Sequence, residues 1–160
     1  MIFATVGTQL PFRRMFDSLE SVASKLTTEI IAQTADPHWH SDRIETHVFL
    51  SPQQYDEIFE RADLIISHAG IGTVLMAIAG QKPLIVMPRR ASLGEHRNEH
   101  QLATVNILKD NEGIYVVQDP KELGAVLSRT DLRPAKSNLT PQRKALQDYV
   151  TQQARKALGL

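Results

Sequence analysis

The sequence contains no cysteine among its 160 residues. This absence excludes disulfide bonds and thiolate catalysis, and it fits a reducing compartment. The formal net charge is zero, with 18 basic and 18 acidic residues, so we expect no general binding of nucleic acid. No segment has the ~20 apolar residues that a membrane-spanning helix needs. The N-terminus lacks the basic start of a secretory signal, and we therefore expect a cytoplasmic protein.

The residues that are present have the balance of an ordinary globular domain, with 42% hydrophobic and 22% charged side chains. Segments typical of strands alternate with segments of helical periodicity along the whole chain. This alternation with short connections predicts an α/β fold, a Rossmann-like, open, mostly parallel sheet with helices on both faces. The predicted strands cover residues 2–6, 29–33, 46–50, 63–67, 84–87 and 114–117.

Three regions are predicted from these patterns. Residues 1–128 form the Rossmann-like domain, residues 129–139 form a polar linker, and residues 140–160 form a C-terminal helix that begins after a Thr-Pro pair. Apolar residues from Leu146 to Leu158 mark one face of that helix. We expect this face to pack on the domain or on a partner.

The most informative segment is Ser67 to Thr73, which reads Ser-His-Ala-Gly-Ile-Gly-Thr and follows the apolar run 64–66. Gly70 and Gly72 permit a tight turn and a close approach of the backbone to a ligand. Thr73 is expected to open a helix, where its hydroxyl caps the helix or meets an anion. The first N–H groups of a helix are unpaired and attract phosphate. The segment therefore predicts a nucleotide or another phosphorylated ligand.

Two further segments follow the carboxyl ends of predicted strands. Residues Gly7, Thr8 and Gln9 come after the first strand, and residues 88–101 come after the fifth. Open parallel sheets bind their ligands outside these strand ends. We therefore expect the three segments to form one site.

The glycine-rich segment from Ser67 to Thr73 also allows other interpretations. A structural turn alone stays open for Gly70 and Gly72. A dinucleotide site is disfavoured because Leu75 stands where a third glycine is needed and because Arg89 follows the next strand in place of an acidic residue. We therefore expect no cofactor.

The histidines and arginines also allow two interpretations. His68 is either a packed residue or, as we favour, a hydrogen-bond donor to phosphate. His96 and His100 do not have the spacing of a His-Glu-x-x-His zinc site, which disfavours a metal. Arg89, Arg90 and Arg97 belong to a solvated loop or offset the charge of a diphosphate, and these alternatives stay open.

Taken together, the motifs resemble the donor-binding half of GT-B glycosyltransferases, in glycosyltransferase family 28, which includes the C-terminal half of MurG. The resemblance covers residues 1–128. The segments 6–9 and 88–101 are most similar to the small PssE-type subunits of bacterial exopolysaccharide synthesis. Those subunits are similar to the soluble donor-binding subunit of the eukaryotic transferase that adds the second GlcNAc of the N-glycan precursor. The motifs that carry the likeness are Ser67–Thr73, Gln81–Pro83, Pro88 and His100–Gln101.

The resemblance implies a substrate-binding role for twelve residues; the base is expected on a partner chain, and the catalytic residues are otherwise left open. The first strand's loop and the glycine-rich segment would hold the diphosphate, the backbone of Leu50 would contact uracil, and His100 with Gln101 would read the sugar hydroxyls. Met76 stands where the family often has a Glu that binds the ribose, a position that varies in the bacterial subunits. The implied set is Gly7, Thr8, Gln9, Leu50, His68, Gly70, Gly72, Thr73, Glu95, Asn98, His100 and Gln101.

The resemblance also implies an activity and partners. The chain would be the donor-binding subunit of an inverting transferase that uses a UDP-sugar as substrate and acts on a lipid-linked sugar acceptor. A membrane-anchored partner chain would bring the acceptor and the base, and would place this subunit at the inner face of the membrane. The isolated subunit would be inactive or weakly active, and a homodimer in isolation stays open. The alternative, favoured by Met76, is a non-catalytic accessory protein that enhances a partner transferase.

Overall fold

In the computed structural model, which describes residues 1–136, the chain forms one six-stranded sheet with the order β3-β2-β1-β4-β5-β6. All five strand pairs are parallel. The predicted α/β class with an open parallel sheet is thus confirmed. The strands are β1 Ile2–Thr5, β2 Ile30–Gln33, β3 Glu45–His47, β4 Leu64–His68, β5 Leu84–Met87 and β6 Ile114–Val116.

Helices cover both faces of this sheet. α1 and α5 pack on one face, where Phe16, Leu19 and Leu123 belong to one buried apolar cluster. α2, α3 and α4 pack on the other face through a second cluster. Because both faces are buried, the central strands β1, β4 and β5 are runs of buried, mostly apolar residues rather than alternating ones, with polar residues only at the carboxyl ends of β1 and β4. The helices are α1 Arg13–Ala23, α2 Pro52–Arg61, α3 Ile71–Ala79, α4 His100–Leu108 and α5 Leu123–Leu127.

Two predicted boundaries differ in ways that bear on function. β3 ends at His47, so Leu50 lies in the connection that follows. α3 begins at Ile71 with Gly70 as its cap, and no side chain caps it; the prediction that Thr73 opens this helix is wrong. The Thr73 side chain instead lies near the hydroxyl of Tyr55 on α2, where it opposes the effect of burial, which raises the pKa of that hydroxyl.

The segment after α5 lies along the edge of the sheet next to β6. Ala135 is buried and its N–H donates to the carbonyl of Lys82 at 3.2 Å, and the N–H of Arg133 donates to the Tyr115 hydroxyl at 2.8 Å. Residues 129–136 of the predicted linker therefore pack on the domain. The predicted linker residues 137–139 and the predicted helix 140–160 lie outside the described residues. In the part that is described, no helix is both long and apolar enough to cross a bilayer.

Two glycines with positive φ test how firmly this segment is packed. Gly113 has φ of 81°, and a Cβ there would lie 2.2 Å from the Pro134 carbonyl oxygen, whereas Gly94 has φ of 71° and open space around it. We expect Gly94→Ala to lower the free energy of unfolding by about 1 kcal/mol, the cost of the left-handed backbone alone. Gly113→Ala should lower the free energy of unfolding by clearly more, as measured by urea denaturation. Equal decreases in the two variants would mean that Pro134 is not in close contact with Gly113.

Candidate functional site

A cavity of about 430 Å³ opens at the carboxyl edge of the sheet, beside the ends of β1, β4 and β5. The three predicted segments meet there: the loop after β1, the junction of β4 with α3, and the connection from β5 into α4. Its volume lies within the usual range for small-molecule sites. The lining consists of Gly7, Thr8, Gln9, Leu10, His68, Ala69, Gly70, Ile71, Arg89, His96, His100, Gln101 and Thr104.

His68, the last residue of β4, is neutral at pH 7 in this cavity. Burial above all, and then the neighbouring Arg89 and His96, lower the pKa of His68 to about 4. Its Nδ1 lies 3.3 Å from the hydroxyl of Ser67. If that hydroxyl donates to Nδ1, the proton of the neutral ring is on Nε2, which is then free to donate to a ligand.

The imidazole of His68 lies directly against Gly70, at the start of α3. A Cβ on Gly70 would be 2.3 Å from Nε2 of that ring. Glycine is therefore required here by close approach and not by a special backbone conformation, since Gly70 has φ of −78°. Gly70 and Ile71, where α3 begins, line the same cavity as His68, and the start of a helix together with a histidine suits an oxyanion.

The charges around the cavity also favour an anion. Its lining contains no aspartate or glutamate, while it includes Arg89. A larger recess of about 670 Å³ lies on the other side of the β1 loop. In that recess the arginines are already paired, Arg13 with Asp36 at 2.7 Å and Arg14 with Glu95 at 2.6 Å. The smaller cavity is therefore the better anion site.

The structure brings seven of the twelve predicted site residues into this lining and leaves five outside it. Those inside are Gly7, Thr8, Gln9, His68, Gly70, His100 and Gln101. The five outside it are Leu50, Gly72, Thr73, Glu95 and Asn98.

Four of these outer residues make contacts within the protein. Thr73 lies near the Tyr55 hydroxyl, and the N–H of Leu50 donates to the Gln33 side chain at 3.0 Å. The Asn98 side chain accepts the N–H of His100 at the start of α4. Both carboxylate oxygens of Glu95 accept from the Arg14 guanidinium. These contacts shape the elements around the cavity.

Arg89 and His96 line the cavity but were not in the predicted set. Arg89 is only 3% exposed, so it is not part of a solvated loop. Of Arg89, Arg90 and Arg97, Arg89 lies nearest to the carboxyl end of β5, two residues beyond it, and this position is the signal in the sequence that could have identified it. In residues 1–136, no group of three or more His, Cys, Asp or Glu side chains is arranged to hold a metal.

The contact between Gly70 and His68 can be tested with a matched pair of variants. A Cβ on Gly72 would meet nothing within 4 Å, so Gly72→Ala should raise the free energy of unfolding by up to ~1 kcal/mol through helix propensity. Gly70→Ala should displace the imidazole of His68 and shift its ring signals in NMR spectra. Unchanged His68 signals in Gly70→Ala would contradict the close approach.

The lowered pKa of His68 predicts a pH dependence of stability. The unfolded chain takes up a proton at about pH 6.5, whereas the folded protein resists protonation until about pH 4. Stability is therefore full above pH 6.5 and falls as the pH drops toward 4. Between pH 7 and 4.5 the wild type should lose about 2 kcal/mol more than His68→Gln in urea denaturation.

The control for this pH effect is His40→Gln, since His40 is an exposed histidine. This variant should follow the wild type through the same pH range. An equal pH dependence in His68→Gln and the wild type would contradict a buried neutral imidazole at position 68.

Comparison with known proteins agrees with this architecture. Residues 1–157 match the model of the glycosyltransferase family 28 C-terminal domain. No curated protein is similar to the chain at a significant level.

Solved structures share the fold. MurG of Acinetobacter baumannii has a TM-score of 0.58 and 18% identity, over 82% of this chain and 42% of its own. The solution structure of ALG13 has a TM-score of 0.61 and 19% identity, over 91% of this chain and 93% of its own. SnogD of Streptomyces nogalater has a TM-score of 0.53 and 22% identity, over 94% of this chain and 38% of its own. At such identities the likeness shows the fold alone.

The chain thus spans about two fifths of the length of MurG and SnogD and nearly all of ALG13. Its sheet order, the phosphate-suited cavity at the carboxyl edge and the match over nearly the whole sequence agree with one another. The chain therefore belongs to the family of the glycosyltransferase family 28 C-terminal domain, and its sheet is a half domain of the GT-B type.

Proposed function

We propose that this chain is the donor-binding subunit of an inverting, UDP-sugar-dependent glycosyltransferase that works with a membrane-anchored partner chain. The observation that carries the proposal is the cavity at the carboxyl edge, which has no acidic lining residue and faces the first turn of α3. Such a surface suits the diphosphate of a nucleotide sugar. The family to which the chain belongs supports the same ligand class.

The residues of the cavity would act on the leaving group. The diphosphate would lie at the first turn of α3, with the Nε2 of His68 and the backbone of Gly7 and Thr8 as further donors. As the bond between the anomeric carbon and the diphosphate breaks, negative charge grows on the leaving oxygen. Donors already fixed at that position stabilise this charge without reorganisation. His100 and Gln101, at the start of α4, would contact the donor sugar.

The acceptor hydroxyl needs a base on the opposite face of the sugar, because inversion requires attack from the side away from the diphosphate. The lining of the cavity contains no carboxylate, and we assign His68 and His100 to the donor side of the reaction. In line with the resemblance to the PssE-type subunits, we assign the base and the acceptor site to the partner chain. The isolated subunit would then be inactive or weakly active.

Exposed apolar side chains at this end of the sheet support a partner. Five of the six large hydrophobic residues that are exposed in residues 1–136 follow carboxyl ends of strands. Two of them, Leu10 at 40% and Ile71 at 59% exposure, line the cavity itself. Exposed apolar side chains beside a binding site suit an interface with another chain. The five residues are Leu10, Val48, Phe49, Ile71 and Leu93.

The nature of the acceptor rests on the resemblance to the PssE-type subunits. We assign the chain to exopolysaccharide or related glycan synthesis, with a lipid-linked sugar as acceptor bound by the partner. This places the subunit in the cytoplasm, held at the inner face of the membrane through that partner. A homodimer of the isolated chain is the competing use of the same apolar surface.

A second candidate is a non-catalytic accessory protein, and Met76 is the residue that favours it. Met76 lies in a separate recess with Phe59, Glu60 and Ala79, not in the lining of the cavity. It offers no carboxylate to a ribose. An accessory protein would stabilise its partner without binding a donor.

Calorimetric titration of the isolated chain with UDP and with UDP-GlcNAc, UDP-glucose, UDP-galactose and UDP-glucuronic acid tests the proposal. We expect saturable binding that His68→Ala weakens about 10- to 100-fold, the usual effect of losing a hydrogen bond to a charged group. His40→Ala, which removes an exposed histidine, should bind like the wild type. NADH should not bind.

The reconstituted pair of subunits separates the two candidates. For a donor-binding subunit, transfer activity of the pair should fall in His68→Ala while the complex still forms. Full activity of the His68→Ala pair, together with no nucleotide binding by the wild type, would overturn the donor-binding role and leave the accessory role.

A further inference from the structure

Arg89 is a buried cation for which the proposed chemistry does not account. Its side chain is almost completely covered, with 3% exposure for the residue. Burial is the main reason that its pKa is lowered to about 10, which still leaves it charged at neutral pH. In residues 1–136 no carboxylate forms an ion pair with it. Since a buried charge is costly, its partners indicate what it does.

The guanidinium of Arg89 holds the loop that follows β1. Its two terminal nitrogens donate to the Leu10 carbonyl at 2.5 Å and the Pro11 carbonyl at 2.6 Å, and one of them also reaches the Glu95 carbonyl at 3.3 Å. The same group lies 4.8 Å from the centre of the Phe12 ring. The planar guanidinium thus binds two successive carbonyls of one loop.

The backbone of Arg89 extends this connection to α4. Its N–H donates to the side-chain oxygen of Gln101 at 2.9 Å, and Gln101 is itself buried. Arg89 therefore joins the β1 loop, the end of β5 and the first turn of α4. These are the elements that face the β4–α3 junction across the cavity.

We propose that Arg89 is a positioning residue that holds the β1 loop against α4, so that Gly7, Thr8 and His68 face a single diphosphate. The identity of the ligand rests on the proposed function, whereas the role of Arg89 in holding the loop does not. A lysine at this position would keep the charge. It would not place two donors in the fixed planar arrangement that the two carbonyls accept.

The ligand-dependent test compares affinities for UDP and UMP, because their ratio reports how well the second phosphate is held. We expect Arg89→Lys and Arg89→Met to reduce the preference for UDP over UMP by about 10-fold or more. Arg97→Met is the matched control, since Arg97 is an exposed arginine of the same connection. A wild-type ratio in Arg89→Lys would show that charge alone suffices and would overturn the positioning role.

A second measurement needs no ligand and separates this proposal from the proposed function. Backbone NMR order parameters at Thr8, Gln9, Leu10 and Phe12 should fall in Arg89→Lys, with those of β1 and β4 unchanged. Unchanged order parameters in the loop would overturn the role of Arg89, whether or not nucleotides bind. Lower order parameters together with no UDP binding by the wild type would support the role of Arg89 and refute the donor site. If Arg89→Met does not fold, Arg89→Lys alone is sufficient for both the affinity ratio and the measurement on the loop.

Discussion

The parallel pairing of β1 with β4 determines where everything else in the molecule lies. Thr5 pairs with Ser67 at the carboxyl ends of these two strands. From this pair the chain proceeds toward β2 on one side and toward β5 on the other, so the helices that follow β1 and β4 lie on opposite faces. The two loops diverge at this switch point and leave a crevice between them, as open parallel sheets do. The cavity is a consequence of the strand order.

Side chains give the crevice its charge. Both carboxylate oxygens of Glu95 accept from Arg14, and Glu95 lines the larger recess but not the cavity. Arg89 is held by carbonyl oxygens and lies against the Phe12 ring, and the charge of Glu95 favours its charged form. The charges of the larger recess are therefore paired, whereas the lining of the cavity includes Arg89 and no acidic residue.

The fold was largely predictable from the sequence because its strands are short apolar runs separated by helical periodicity, and β5 at Leu84–Met87 has the predicted bounds. At the site, the sequence predicted the segments that meet but not all of the side chains that line the cavity. The segments follow from the positions of the strand ends, whereas the direction of a side chain depends on neighbours that are remote in sequence. Thr73 faces Tyr55, and Glu95 faces Arg14, 81 positions away. Neither partner can be read from the local motif, and the same holds for the burial of Arg89.

The least favourable feature beside the cavity is the one that an anion would compensate. The guanidinium of Arg89 is buried, and its hydrogen-bond partners are carbonyl oxygens rather than a carboxylate. A buried charge of this kind costs stability, whereas the neutral imidazole of His68 costs little above pH 6.5. The negative charge of a diphosphate would offset part of the cost at Arg89. The low dielectric that makes the buried charge costly would also strengthen hydrogen bonds to the anion, so anion binding is expected to stabilise the carboxyl edge of the sheet.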